Sequence, residues 1–171
     1  MKKIDPKELT PNVIELIGHQ WMLVTPGRIN HFNTMTASWG GVGFLWNKPV
    51  VHVYVRPERY TFEFMEAYDT FTLSFLAPGH RKALNICGSQ SGRDTDKVTD
   101  AGLHPATTEA GNVYFEEAGI VLECRTLYAD FLKSDHFLEP GTYEKWYGPQ
   151  IGGLHKMYVA EIVNAYENYE L

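Results

Sequence analysis

Cysteine is scarce in this sequence, and long apolar runs are missing. The 171 residues include two cysteines, Cys87 and Cys124, which form no Cys-x-x-Cys motif. A disulfide framework is therefore not expected, and a reducing compartment is the default. No apolar stretch approaches the roughly 20 residues that cross a membrane, and Lys2 and Lys3 are not followed by the apolar segment of a secretion signal. The sequence predicts a cytoplasmic protein without a membrane partner.

Positive charge is also in short supply. Lysine and arginine total 15 against 21 aspartates and glutamates, which gives a formal net charge of −6. Binding to nucleic acid requires a basic surface that neutralises phosphates, and anionic membrane surfaces make the same demand. Neither is expected as a main partner of this chain.

Several well-known functional motifs are absent. The seven histidines show no His-x-His, His-Glu-x-x-His or Cys/His ligand spacing, so no metal site is predicted. No Gly-x-Ser-x-Gly motif occurs, which leaves hydrolase chemistry without support. Gly40-Gly41-Val42-Gly43 does not fit the Gly-x-Gly-x-x-Gly dinucleotide motif. A nicotinamide cofactor, if used, is therefore not expected to bind through a built-in Rossmann unit.

The segments that are present predict one mainly β domain over residues 1–171. Hydrophobic residues make up 44%, which is enough for a core in a chain of this length. Apolar or alternating segments rich in β-branched and aromatic residues are predicted strands, namely 21–25, 50–56, 70–75, 120–127 and 156–164. Helices are predicted over 58–67, 79–87 and 95–101. Many strands, few helices and no βαβ alternation favour an antiparallel barrel with peripheral helices.

Finer expectations concern single segments. In the strand 70–75, Phe71, Leu73 and Phe75 are expected to face the core, and the hydroxyl side chains between them are expected to face outward. The Gly- and Pro-rich stretch 134–154 is predicted to be a long loop, and long loops in compact domains are often functional. His52 and His155 are interpreted as strand residues that serve as core or interface groups.

The most informative stretch is a run of seven uncharged residues. It consists of Asn33, Thr34, Met35, Thr36, Ala37, Ser38 and Trp39. Small side chains let backbone N–H groups approach a flat polar ligand, and the run has neither a helical stripe nor strict strand alternation. Uncharged donors beside an aromatic residue suit a heteroaromatic ring that gains electron density on reduction, such as a flavin. The alternative interpretation is a polar strand or turn without a ligand.

A second candidate segment surrounds Pro57. Arg56 is expected at the end of a strand, and Thr61 in the first turn of the following helix. A strand-end guanidinium, a hydroxyl and the free N–H groups of a helix start can together bind a phosphate. The alternative is a surface arginine paired with Glu58.

A third segment is rich in glycine and serine and precedes a lysine. Its candidate ligand-binding residues are Cys87, Gly88, Ser89, Ser91, Gly92 and Lys97. Such backbone can surround an anion or approach the edge of a ring, and Lys97 can add charge beside a phosphate. The alternative, compatible with the first, is a helix that ends at Gly88 and a second helix capped by Asp94, with Lys97 in solvent.

In order and character these three segments resemble the flavin reductase-like family, which includes the flavoredoxins. Two further stretches strengthen the likeness: Pro-Val-Val-His-Val-Tyr-Val-Arg-Pro from Pro49 and His-Lys-Met-Tyr-Val-Ala-Glu-Ile-Val from His155. The resemblance covers most of the chain and implies an FMN-binding split β-barrel. It implies that the backbone of residues 33–39 flanks the isoalloxazine. The residues it assigns to the FMN phosphate are Arg56, Thr61, Ser89, Ser91 and Lys97.

The resemblance also implies a function. The chain is expected to be an oxidoreductase that moves electrons from NAD(P)H through bound FMN to a flavin, a ferric compound or another small acceptor. A flavoredoxin-like electron carrier with a protein redox partner is the alternative, and a barrel without cofactor function is a third. The family implies a homodimer in which part of the loop 136–153 belongs to the neighbour's site, where Trp146 and Tyr147 either cover the flavin or only pack. No catalytic side chain is assigned, because the cofactor carries the chemistry.

Overall fold

Strands dominate the computed structural model, which describes residues 1–168. The strands are β1 (Lys2–Ile4), β2 (Met22–Arg28), β3 (His31–Phe32), β4 (Met35–Ala37), β5 (Gly40–Leu45), β6 (Lys48–Val55), β7 (Thr70–Leu76), β8 (Pro105–Thr107), β9 (Val113–Phe115), β10 (Ala118–Phe131) and β11 (Lys156–Glu167). The helices are α1 (Val13–Glu15), α2 (Tyr60–Ala67), α3 (Arg81–Ser89), α4 (Lys97–Asp100) and α5 (Thr142–Tyr147). A π-helical turn, Leu16–Gln20, follows α1, and 3-10 turns occupy Pro6–Glu8 and Ser134–His136. None of the helices within residues 1–168 is long and apolar enough to cross a membrane.

Nine strands form one antiparallel sheet in the order β3-β2-β7-β10-β11-β6-β5, with β1 added to β11 and β4 added to β2. β8 and β9 form a separate hairpin. Irregular pairing between β10 and β11 near Glu123 and Thr126 marks bulges, which bend and twist a sheet. The sheet curls but does not close, since its end strands do not pair with each other. The predicted antiparallel split barrel with peripheral helices is confirmed.

The chain crosses the split of the barrel between β4 and β5. β4 pairs with β2 at one end of the sheet, and β5 pairs with β6 at the other. Only Ser38 and Trp39 connect the two strands. Strands at a sheet edge carry backbone N–H and C=O groups that the sheet does not use. The split is therefore the part of the barrel where backbone groups are available to a ligand.

The core follows from alternation along the central strands. Val51, Val53 and Val55 of β6 are fully buried, as the period of two predicts. In β7, Phe71 and Phe75 face the same core. Burying each such side chain contributes about 1.5–3 kcal/mol, so these strands fix the register of the barrel.

The outer face of β7 differs from the prediction. Thr72 and Ser74 were expected to face outward, but both are fully buried. The β8–β9 hairpin lies against this face, and the Thr72 hydroxyl donates to the carbonyl oxygen of Val113 at 2.5 Å. A second layer therefore covers a face that alternation alone assigns to solvent.

The predicted helices exist, but their ends are displaced. α2 begins at Tyr60 and not at 58, because the Arg59 N–H donates to the Arg56 carbonyl and forms a turn first. α3 continues past Gly88 to its C-cap at Gln90. α4 is capped by Asp96, whose carboxylate accepts the Thr99 N–H, and not by Asp94.

The prediction of a long loop over 134–154 is wrong. The segment contains a 3-10 turn and the helix α5. Gly141, with a φ of 83°, occupies the position before α5 in a left-handed conformation that suits glycine. Rings of Phe137, Tyr143 and Tyr147 then contact one another with centroids 5.5–6.4 Å apart. Aromatic packing thus gives structure to a segment whose glycines and prolines predict none.

Candidate functional site

A cleft of about 180 Å³ lies at the split of the barrel. One wall is the segment 35–39, which includes β4 and the crossing to β5. The other wall carries Tyr54, Arg56, Arg59 and His155. The structure therefore brings the first two predicted segments together at one site.

Within the segment 33–39, most side chains serve the fold. Met35 and Ala37 are buried in the core, and Thr34 is fully buried with its hydroxyl 2.8 Å from that of Thr25. The Thr36 hydroxyl donates to the carbonyl of Leu84 in α3. Residues 35–39 line the cleft, and on one side the backbone of Met35–Ala37 pairs with β2. The other backbone groups of the segment, with the side chains of Ser38 and Trp39, are what it offers a ligand.

Asn33 joins all three predicted segments. Its Nδ2 donates to Thr61 Oγ1 at 2.7 Å, and both side chains are buried. Its side-chain oxygen Oδ1 lies against Gly92, where an added Cβ would collide with Asn33 Oδ1 and would be 3.3 Å from the ring of Tyr60. The three segments predicted to bind one ligand therefore meet at this residue.

Two cationic side chains beside this junction have no acidic partner among the residues that the structure describes. Lys97 is only 3% exposed, and its Nζ donates to the backbone carbonyl of Gln90 at 3.2 Å. Arg59 donates to the carbonyl of Cys87 at 3.4 Å. Among residues 1–168, no carboxylate lies within 4.0 Å of either cation. Buried charge is costly unless it is paired, so this pair of cations is suited to a bound anion.

Electrostatics at these cations agree with the geometry. Burial lowers the pKa of Lys97 to about 8, with Cys87 opposing the shift and Arg59 adding to it. Burial also lowers the pKa of Arg59 and raises that of the Cys87 thiol to about 11. An anion between the cations would favour their charged forms.

A larger cavity of about 600 Å³ lies on the Lys97 side of the junction. Asn33, Gly92 and Lys97 line it, and so do Asp94 and Asp96. The predicted residues are thus divided between two neighbouring spaces. Arg59 lines the cleft and interacts electrostatically with Lys97, so the cations lie between the two spaces.

Arg56 lines the cleft but is already engaged. Its guanidinium donates to the backbone carbonyls of Trp146 at 2.9 Å, Ile151 at 3.1 Å and Gly153 at 3.4 Å. It also lies 5.2 Å from the ring centre of Tyr147. Glu58 does not form an ion pair with Arg56 within 4.0 Å in the described part of the chain. Instead its carboxylate accepts the Gly153 N–H, which lowers the pKa of Glu58.

Other predicted residues line neither space. Thr61 and Cys87 are buried, and Gly88 lies against Thr36. The Ser89 hydroxyl donates to the Asn85 carbonyl at 2.8 Å, and Ser91 Oγ accepts the Arg93 N–H at 3.2 Å. Their assignment to the cofactor stays a prediction, because these contacts serve the segment itself.

The aromatic wall of the cleft includes His155, which was not predicted as a ligand-binding residue. His155 Nδ1 lies 2.9 Å from the Tyr147 hydroxyl, and its ring centre is 5.2 Å from that of Trp39. Trp146 meets Trp39 edge-on at 5.2 Å, so α5 lies over the cleft of its own chain. Burial lowers the pKa of His155 to about 4. Alternation along β6 places Tyr54 on the same face as Arg56, so the sequence could have predicted Tyr54 as a residue of the cleft. His155 reaches the cleft through contacts with α5, and no sequence pattern predicts them.

Residues 1–168 contain no group of three or more His, Cys, Asp and Glu side chains arranged to hold a metal ion. Cys87 and Cys124 are both buried and unpaired.

Comparison with known proteins identifies the family. The sequence profile of the flavin reductase like domain matches residues 15–170, which is most of the chain. The chain belongs to the flavin reductase-like family. A search of curated protein sequences finds no significant match.

Solved structures of this family share the fold. The FMN-binding domain of a flavin reductases-like enzyme from Shewanella baltica OS155 superposes with a TM-score of 0.69 at 18% identity, over 97% of this chain and 76% of that one. The FMN-binding protein from Thermus thermophilus, with bound p-hydroxybenzaldehyde, gives 0.68 at 20% identity, over 99% and 83%. Flavoredoxin from Methanosarcina acetivorans gives 0.66 at 22% identity, over 88% and 69%. At these identities the likeness establishes the fold.

Proposed function

We propose that this chain binds FMN at the split of the barrel and moves electrons from NAD(P)H through FMN to a small acceptor. The observation that carries the proposal is the pair of cations, Arg59 and Lys97, beside an uncharged polar segment and without an acidic partner in residues 1–168. Membership of the flavin reductase-like family, with FMN-binding structural neighbours, supports the same assignment.

The residues fit the two halves of FMN. The backbone of residues 35–39 and the indole of Trp39 suit the flat isoalloxazine, which hydrogen-bonds at its edge and stacks on its face. Arg59 and Lys97 suit the phosphate through charge-assisted hydrogen bonds. Arg56 and Thr61, with Ser89 and Ser91, stay proposed as additional phosphate contacts. Bound FMN would supply hydride acceptance and electron transfer.

The protein's own contribution is positioning and exclusion of water. Trp39, Trp146 and Tyr147 form an apolar cover, and burial keeps His155 uncharged at neutral pH with its pKa near 4. These aromatic side chains add no charge of their own at the face of a bound ring. Preorganised surroundings of this kind lower barriers by orientation and electrostatics, so no acid–base side chain is assigned.

A homodimer in the cytoplasm is part of the proposal. Trp39 and Trp146 remain 40% exposed beside the cleft, and Phe44 and Trp46 are 63% and 57% exposed at the β5–β6 turn. Apolar side chains of this size at a surface are typical of an interface. Sedimentation velocity on the purified protein checks the state, and a monomer at micromolar concentration would contradict it.

Steady-state oxidation of NADH and of NADPH tests the function. FMN-loaded protein is assayed with free flavin, a ferric chelate or a quinone as acceptor. Turnover with a small acceptor is expected. Flavoredoxin-like electron carriage is the second candidate, since flavoredoxins are among the structural neighbours. Bound FMN that NAD(P)H leaves oxidised, with or without acceptor, would favour that carrier.

A further inference from the structure

An uncharged groove of about 380 Å³ adjoins the cleft. One wall is formed by Val13, Ile14, Ile17 and Gly18, and the other by residues 38–42. Ser38 and Trp39 line the groove as well as the cleft. Whatever occupies the groove therefore contacts the same two residues that the flavin contacts under the proposed function.

No lining residue of the groove carries a charged side chain. The wall also contains consecutive glycines, Gly40 and Gly41, on the edge strand β5. Glycine in a strand often marks a place where a ligand approaches the backbone closely. At Gly40 the space is needed by the barrel itself, because a side chain there would meet the His52 carbonyl at 2.7 Å. At Gly41, which also lines the groove, an added side chain would meet its nearest atom, His52 Nδ1, at 3.7 Å, so this position is open.

The edge of the sheet adds hydrogen-bond donors to an apolar surface. In the described part of the chain, β5 pairs with β6 alone, which leaves alternate N–H groups on its other side open. Ile14 on the facing wall is 76% exposed. A suitable occupant is flat and apolar, has carbonyl oxygens at its rim, and carries no charge that the groove would leave unpaired.

We propose that this groove binds an uncharged ring acceptor of the quinone class. This inference rests on the proposed function and narrows its acceptor: ferric chelates and phosphorylated flavins are charged, and the groove offers them no counter-charge. The overall reaction balances without another reagent. NAD(P)H gives two electrons and one proton as a hydride, water gives a second proton, and the quinone becomes the hydroquinone.

The test compares a neutral quinone with the same ring carrying one anionic sulfonate group. 1,4-Naphthoquinone and its 2-sulfonate are each measured by equilibrium dialysis against the purified protein without nicotinamide, so binding is read independently of turnover. The neutral quinone is expected to bind one molecule per chain, at least 10-fold more tightly than the sulfonate. Equal affinities, or no binding of the neutral quinone, would overturn the proposal.

Glycine replacements locate the site. Gly18→Leu places a side chain where no atom lies within 4 Å, and it is expected to weaken naphthoquinone binding at least 10-fold by filling the groove. Gly43→Leu is the matched control, because Gly43 has equally open space on β5 but does not line the groove. Ile14→Glu, which adds a charge to an exposed position, should weaken binding similarly, whereas Leu138→Glu, at a 95% exposed position away from the groove, should not.

FMN titration and sedimentation velocity on the same samples separate the possible failures. Gly18→Leu with unchanged FMN affinity and lost quinone binding supports the proposal. Wild-type protein that binds FMN but not the quinone overturns this inference and leaves the proposed function intact. Protein that binds no FMN overturns both. If a second copy of the chain fills the groove, Gly18→Leu dissociates a dimer and the quinone does not bind, which also overturns the inference.

Discussion

At the scale of single residues, the central feature is the charge of Arg59 and Lys97, which no carboxylate within residues 1–168 pairs. A buried lysine loses the hydration of its ammonium group, and this loss lowers the pKa of Lys97 to about 8. Proteins normally offset such a cost with a carboxylate, and none lies within reach in residues 1–168. The phosphate of a ligand can offset this cost in place of a carboxylate.

Replacing Arg59 with alanine should weaken FMN binding about 10- to 150-fold, since a hydrogen bond to a charged group contributes roughly 1.5–3 kcal/mol. The Arg59 side chain makes no capping hydrogen bond to α2, so the helix should persist. Quenching of flavin fluorescence measures the affinity. Arg125→Ala, at an exposed position paired with Glu161, is the control. Arg56→Ala, measured in parallel, compares the two arginines, and an unchanged affinity in folded Arg59→Ala removes Arg59 from the site.

The affinity for FMN should fall as the pH rises above about 8. In the free protein Lys97 loses its proton near that pH, whereas a bound phosphate holds the proton on it. Binding then requires uptake of a proton, which lowers affinity by up to about 10-fold per pH unit. Titrations between pH 7 and 9.5 measure the slope. Lys97→Met should bind more weakly at pH 7 with a flatter profile, and an equal slope in both proteins would contradict the assignment.

His155 predicts loss of stability in acid. Its pKa lies near 4 in the folded protein against an ordinary 6.5, so between these values the unfolded chain takes up a proton that the folded chain does not. The free energy of unfolding should therefore fall as the pH drops from 6.5 to 4, by at most roughly 1.4 kcal/mol per pH unit. Urea denaturation at several pH values checks this. His155→Gln should reduce the slope.

The pKa of His104 shifts in the opposite direction to that of His155. Its hydrogen bond to Glu117 raises the pKa of His104, so this pair stabilises the folded state more at low pH and loses that effect as the pH rises. His104→Gln should therefore not reduce the acid slope. If it reduces the slope as much as His155→Gln does, the assignment to His155 is wrong.

At the scale of elements, α5 and the turn after it depend on Arg56. Its guanidinium binds three carbonyls on both sides of that turn and lies over Tyr147. Arg56→Leu should therefore speed amide hydrogen exchange in residues 142–153 roughly 10-fold or more, since charged hydrogen bonds are lost. Exchange measured by mass spectrometry reports this directly. Lys133→Leu, which removes a surface ion pair with Asp130, is the control and should leave these amides unchanged.

The elements also show what the sequence could predict. β6, β7, β10 and β11 are long, with apolar residues on at least one face, so pattern alone located them. β1, β3, β8 and β9 have two or three residues each, and their partners decide whether they are strands. β5 contains glycines that weaken the strand signal, although its pairing with β6 is regular. α5 was missed because its stability comes from aromatic contacts and from Arg56 across the cleft.

The candidate site also has features that the sequence could predict and features that depend on the fold. The three ligand-binding segments were located from local composition, and the structure brings them together at Asn33. Sequence reasoning selected Arg56, because a strand end suits a phosphate ligand, and it did not single out Arg59. Only the fold reveals that Arg56 is bound by backbone carbonyls and that Arg59 faces Lys97. Roles that depend on which carbonyls lie nearby cannot be read from residue types alone.

At the scale of the whole molecule, the topology explains why the site lies where it does. β4 and β5 are consecutive in the chain but belong to opposite ends of an open sheet. Closing the barrel would use their backbone groups in strand pairing. Leaving it split exposes those groups beside the cations of α2 and α4. The open topology of the sheet therefore creates the proposed cofactor site, which agrees with membership of the flavin reductase-like family.

The visible absorption spectrum of the purified protein tests the account most directly, followed by heat release and chromatographic identification of any yellow cofactor. The account predicts flavin absorption, or its appearance on adding FMN, with one FMN per chain and weaker binding of riboflavin, which lacks the phosphate. A colourless protein that also fails to bind added FMN would contradict the account.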